Sequence, residues 1–104
     1  YFLSIHRNSS PYDNQYTGVE SLVYSKNGIA RTIAENINRE LTRVGFVNQG
    51  IKERPNLAVL RRTDMPAVLV EVGFINTDKD NIRFDTQFQE IARAIANGLL
   101  KSIS

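Results

Sequence analysis

The sequence predicts an α/β fold: a mostly parallel, twisted sheet with one antiparallel strand, flanked by helices. Three observations predict it. Residues 66–74, PAVLVEVGF, are almost continuously apolar, the pattern of a central strand covered on both faces. Two longer segments, 27–44 and 88–103, carry apolar residues at helical spacing. The link between the first two apolar strands is polar and about as short as a parallel crossover could be. Those two strands are therefore antiparallel or separated in the sheet.

Taken in order, residues 1–5, YFLSI, form a short apolar strand, and residues 7–17 a polar loop with Pro11, Asp13, Asn14 and Gln15. Residues 18–24, GVESLVY, read as a second strand rich in β-branched and aromatic side chains. A helix follows near 27–44, with Ile29, Ile33, Ile37, Leu41 and Val44 on one stripe. Ser25 or Asn27 can cap its start; Arg43 and Gly45 are stop signals. Residues 47–56 read as loop and 57–60, LAVL, as a brief strand before the central strand. Thr77 and Asp80 resemble a capping box that opens a short helical turn. Asp85 is placed to cap the final helix, whose buried face is Phe88, Ile91, Ala92, Ile95, Ala96, Leu99 and Ile103. Gly98 interrupts that helix at about 1 kcal/mol against Ala, which points to close packing there.

Composition bounds the function. The 104 residues suit one domain, with 41% hydrophobic and 23% charged residues, an ordinary soluble balance. A formal charge of +2, scattered along the chain, gives no argument for nucleic acid. No apolar run approaches the ~18 residues of a membrane helix. Without cysteine there are no disulfides, thiolate metal sites or cysteine nucleophiles. Tyr1 reads as mid-strand, so the chain is expected to begin inside a larger domain.

In sheets of this type ligands bind beyond the carboxyl ends of the strands. His6, the only histidine, follows the first strand there, and Glu71 lies near the end of the most apolar one. A carboxylate among valines and leucines is costly unless something pairs with it. Glu71 is therefore either a reactive acid or half of a structural ion pair with one of the arginines. His6 is either a ligand or a loop residue of no special role. Glu20 alternates with apolar residues and faces solvent or a cleft wall. Lys52, Arg54, Arg61 and Arg62 form either an anion-binding rim or a solvated surface. Ser4 and Ser9 flank the histidine, but no nucleophile elbow surrounds them. Neither a phosphate loop nor a dinucleotide fingerprint is present.

Four blocks, FLSIHRNSS, TGVESLVY, NLAVLRRTDMPAVLVEVGFIN and FQEIARAIANGL, together resemble the zinc-dependent N-acetylmuramoyl-L-alanine amidases of the amidase-3 family. The resemblance covers essentially the whole chain and is sharpest in S-I-H-x-N and P-A-V-L-V-E-x-G-F. It implies a Zn²⁺-dependent hydrolase of peptidoglycan that cuts the amide between N-acetylmuramic acid and the L-alanine of the stem peptide. It implies action outside the cell, at the wall, by an autolysin or a phage endolysin. By position His6 resembles a histidine ligand of the zinc and Glu71 the catalytic glutamate. Asn8 resembles a supporting residue of the same loop, and Arg7 takes no role. The family's other histidine and its glutamate ligand precede the segment matched here. Residues 1–104 thus resemble the C-terminal portion of one catalytic domain, with the preceding segment as the partner that completes it. Two other readings stay open. One is a noncatalytic module that binds peptidoglycan or protein through a degenerate amidase surface; the other is an unrelated α/β enzyme without metal.

Overall fold

A computed structural model describes residues 1–61 and 64–104. Its strands are β1 (Phe2–Asn8), β2 (Val19–Val23), β3 (Asn48–Glu53) and β4 (Ala67–Phe74). Its helices are α1 (Ile29–Val44), α2 (Ala58–Arg61), α3 (Asp78–Thr86) and α4 (Phe88–Ile103). The sheet runs β1–β4–β2–β3, with β1 parallel to β4, β2 antiparallel to β4, and β3 parallel to β2. The fold class is the expected one, and β1 and β2 are separated by the central strand.

β4 is central because its alternate residues serve two layers. Val68, Val70 and Val72 join Val19 and Val23 of β2 beneath α1 and α4, packing on Ile33, Ile37, Leu41, Ile91 and Ile95. On the opposite face Ala67 and Leu69 join Leu22 and Leu60 in a small cluster at α2, with Leu57 and Val59 packed against it. Among the described residues no helix covers the rest of that second face, which loop 9–17 borders at one end. Every residue of β4 is buried except Glu71, which is half-buried. β1 is an edge strand; Phe2 and Ile5 on it are exposed, as is Tyr1 just before it.

Several local expectations are corrected. Residues 48–53, expected as loop, form β3. This edge strand is polar, as exposed edges commonly are, so it lacks an apolar signature. Polar contacts fix it instead: buried Asn38 takes the Ser21 hydroxyl at 2.7 Å and donates to Asn48 and Gly50, each at 3.0 Å. Residues 57–60, expected as strand, turn into α2. A four-residue apolar run cannot choose between the two by pattern, and burying Leu60 decides it.

Gly28, not Ser25 or Asn27, stands at the start of α1, without a side-chain cap; Gly45 ends the helix at φ 126°, as expected. Thr77 occupies the cap position of α3, but its hydroxyl donates to the Tyr16 carbonyl. Asp80 turns inward, so no capping box forms. Asp85 lies within α3, and α4 starts after Gln87. The face of α4 that packs on α1 is Ile91, Ala94, Ile95 and Gly98; Phe88 and Ile103 are exposed, as are Ala92 and Ala96. The close packing at Gly98 is present: a Cβ there would stand 2.6 Å from Ile37 Cα.

Candidate active site

His6 and Glu71 are register partners on the parallel strands β1 and β4. Partners in a ladder project to the same face, here the second one. His6 lies inside β1 rather than after it, because the strand continues to Asn8. The pair therefore sits on the sheet surface, where a site beyond the strand ends was expected. Glu20 of β2 is the register partner of Glu71 on its other side. Three titratable side chains thus stand in a row across β1, β4 and β2.

The row is asymmetric in its bonding. The His6 Nε2 and Ser4 Oγ atoms lie 2.8 Å apart. Glu20 Oε2 meets the Lys52 ammonium at 2.8 Å. Glu71 Oε2 is buried and has no hydrogen-bond partner among the described residues. No ion pair of Glu71 with an arginine occurs among the described residues. Burial pushes the Glu71 carboxyl up from its ordinary range; His6 opposes the shift and the Glu20 charge adds to it. An acid held in this way takes up and releases protons nearer neutrality than a free one.

Glu71 is aimed by the backbone beyond it. The β1–β4 register shifts between His6 and Asn8, so β4 bulges just past Glu71, and Gly73 there has φ 75°. Bulges re-aim side chains and favour glycine where φ is positive. A Cβ on Gly73 would also stand 3.0 Å from the Asp80 side chain. Arg7, given no role from sequence, serves this bulge. Its Nε donates to the Val72 carbonyl at 2.5 Å and Nη2 to Asn81 at 2.9 Å, and the guanidinium lies 4.1 Å over the Phe84 ring. Burial draws Arg7 down from its usual range, with Asp80 and Asp85 acting against it.

Asp80 is the residue that sequence reasoning placed wrongly. It is buried and accepts from Thr17 Oγ1 at 2.6 Å, Gly18 N at 3.0 Å and Phe74 N at 2.9 Å. It ties loop 9–17 to the turn after β4. The only sequence signal was its polarity at a cap-like spacing. Asn8 ends β1, and its Oδ1 accepts from Ser9 N at 2.8 Å.

The suggested basic rim does not assemble. Lys52 borders a cleft beside Glu20, whereas Arg61 borders a cleft at the opposite end of β4. Arg54 donates to the neighbouring Glu53 carbonyl. Arg62 lies outside the described residues.

Zinc requires more than this chain shows. Among the described residues no three His, Cys, Asp or Glu side chains stand close enough to hold a metal ion. A catalytic zinc takes three protein ligands. The single imidazole and its carboxylate neighbours do not make such a centre by themselves.

An imidazole and a carboxylate without a partner among the described residues thus stand side by side on one sheet face. The chain belongs to the Amidase_3 family, described as N-acetylmuramoyl-L-alanine amidase, whose model matches residues 1–101. It is 38% identical over 108 residues to the N-acetylmuramoyl-L-alanine amidase CwlM of Bacillus licheniformis, covering 100% of this chain and 41% of that protein. It is 40% identical over 103 residues to the sporulation-specific N-acetylmuramoyl-L-alanine amidase of Bacillus subtilis, covering 95% and 38%. Its fold matches the amidase AmiC2 of Nostoc punctiforme with a TM-score of 0.86 at 31% identity, covering 98% of this chain and 57% of that one. The chain thus spans about two fifths of these curated relatives.

Proposed function

We propose that the protein carrying this chain hydrolyses the amide between N-acetylmuramic acid and L-alanine in peptidoglycan, acting at the cell wall outside the cytoplasm. The observation that carries the reading is the buried Glu71 oxygen, unpartnered among the described residues, beside His6 on one sheet face. In this reading Glu71 takes the proton of the attacking water and passes it to the departing alanine amine. Its raised proton affinity suits both halves of that cycle.

We also propose that the enzyme is zinc-dependent, with His6 as one ligand of the metal. The other ligands would come from residues outside these 104, in a segment that completes the catalytic domain of which this chain is the C-terminal portion. The short coverage of the relatives supports this, as do the free edge of β1, the exposed Phe2 and Ile5 on it and the exposed Tyr1 just before it. No described helix is long and apolar enough to cross a membrane.

One observation favours a second reading. The lack of a three-ligand cluster among the described residues suits a noncatalytic module that binds peptidoglycan or a protein partner. One experiment separates the two. The full protein carrying this chain is supplied with zinc and a muramoyl-peptide, and new alanine amino termini are counted. Their release, together with bound zinc that is lost in His6→Ala, is expected. Tight binding of the muramoyl-peptide without release would establish the binding module.

A further inference from the structure

The cleft next to Glu71 has a chemistry that the acid–base pair does not use. It encloses about 350 Å³ and is bordered by Asn8, Tyr16, Glu20, Gln49, Lys52 and Phe74. Its walls are fixed before any ligand arrives. On one side Asn76 takes the Ser10 amide at 3.1 Å and donates back to the Ser10 carbonyl at 2.8 Å, while Thr77 holds the Tyr16 carbonyl. On the other, Gln49 Nε2 closes onto the Thr17 carbonyl at 2.7 Å.

Lys52 is the only cation bordering this cleft among the described residues. Its stem is long and mobile, but Glu20 beneath it, only 12% exposed, pins the ammonium at 2.8 Å. An ammonium has three donors. Among the described residues Glu20 takes one; Lys52 is half exposed and borders the cleft, so the others are open to solvent there. The position has a measurable relation to the reacting bond. Glu71, Glu20 and Lys52 lie on the adjacent strands β4, β2 and β3, two strand spacings or roughly 10 Å across. An extended peptide advances about 3.3–3.6 Å per residue.

We infer that Lys52, held by Glu20, anchors a carboxylate of the stem peptide two or three residues beyond the scissile amide, and so selects among stem peptides. The inference rests on the amidase reading of the same face. Besides Lys52, Glu20 is the titratable group of the sheet that borders the cleft, with Glu71 and His6 next to it in the same row. Glu20 opposes an incoming carboxylate while fixing the cation that attracts it, so the preference is a modest one.

The test compares muramoyl-peptides that differ only in a free carboxylate or a carboxamide, at the second residue in one pair and the third in another. The full protein carrying this chain is expected to prefer the carboxylate form in one pair by about fivefold in kcat/KM, the upper end of what a half-exposed ion pair gives. Lys52→Met should abolish that preference and leave carboxamide turnover within about twofold; Lys52→Arg should restore it. No preference in the wild type would overturn the inference. So would equal losses on both substrates, or a preference that survives Lys52→Met. If no substrate is cleaved, the amidase reading fails. Titration of the same peptides, by calorimetry, then decides on Lys52 alone: carboxylate-selective binding lost in Lys52→Met supports it, and unselective binding sinks it.

Discussion

Two carboxylates less than ten residues apart illustrate how one chain uses the same group for opposite ends. Asp80 is 1% exposed and receives three hydrogen bonds, two of them from backbone amides. Glu71 is half-buried, and one of its oxygens receives none among the described residues. Asp80's region is closed: loop 9–17, the bulge at Gly73 and the start of α3 all converge on it. Glu71's region is less covered, with no described helix over the sheet face around it. A satisfied acid holds structure together. An unsatisfied one carries free energy that folding did not use, and that is where chemistry is expected.

The sharpest way to break this comparison is to neutralise Glu71 without changing its shape. Glu71→Gln should reduce amide hydrolysis by about 10²–10⁴-fold, the usual contribution of a general acid–base group. Bound zinc in the full protein should remain. Near wild-type turnover by a zinc-loaded Gln variant would remove Glu71 from the chemistry.

Asp80→Ala should do the reverse. It strands Gly18 N, Phe74 N and the Thr17 hydroxyl, at about 1–3 kcal/mol for each buried unsatisfied group. The expected result is a loss of about 3 kcal/mol in urea unfolding, with turnover per folded molecule changed far less than in Glu71→Gln. If Asp80→Ala instead leaves stability intact and abolishes turnover, the assignment of the two acids is inverted.

Legibility from sequence follows the same division. The apolar elements were readable: β4 from PAVLVEVGF, and α1 and α4 from their periodicity; the short polar link showed that β1 and β2 are antiparallel or separated, without choosing. The polar elements were not. β3 is assembled by Asn38 and Asn48, and nothing in NQGIKE repeats at a strand's period. The buried stripe of α4 was drawn too wide: Phe88, Ala92, Ala96 and Ile103 are exposed, while Ala94 and Gly98 lie on the packed face. At the site, His6 and Glu71 stood out because each broke an apolar run. Arg7 and Asp80 did not, since their partners are backbone groups brought close only by the fold. Glu20 and Lys52 were visible as charges, but only the sheet order puts them in one cleft.

A smaller effect concerns the covered face. Gly98→Ala gains about 1 kcal/mol of helix propensity. Against this, the new Cβ would stand 2.6 Å from Ile37 Cα, a backbone atom that cannot swing away. Overpacking typically costs about 1–3 kcal/mol, so a net loss of about 1 kcal/mol is expected in thermal or urea unfolding. A gain in stability would mean that α1 and α4 are less tightly apposed than the closed half of the molecule requires.

The smallest effect is the most direct reading of Glu71 itself. Burial raises its proton affinity in the folded chain above that in the unfolded chain. The folded state then binds the proton more readily, so Glu71's contribution to stability is greatest below the unfolded value, about 4.3. It is lost as pH rises through the folded value, and above that the fold carries a poorly solvated charge. Replacing Glu71 by the neutral Gln removes that charge. Glu71→Gln should therefore melt slightly higher than wild type at pH 7–8, and the advantage should vanish below about pH 4. The half-buried position keeps the effect small, because solvent screens part of the charge. The acid limb of turnover in the full wild-type protein should lie above the ordinary carboxylate range for the same reason. A Gln variant that melts lower at neutral pH would mean that the Glu71 carboxylate is held by a partner, as in a structural ion pair, and the contrast with Asp80 would collapse. Thermal melts of both proteins across pH 3–8 decide it.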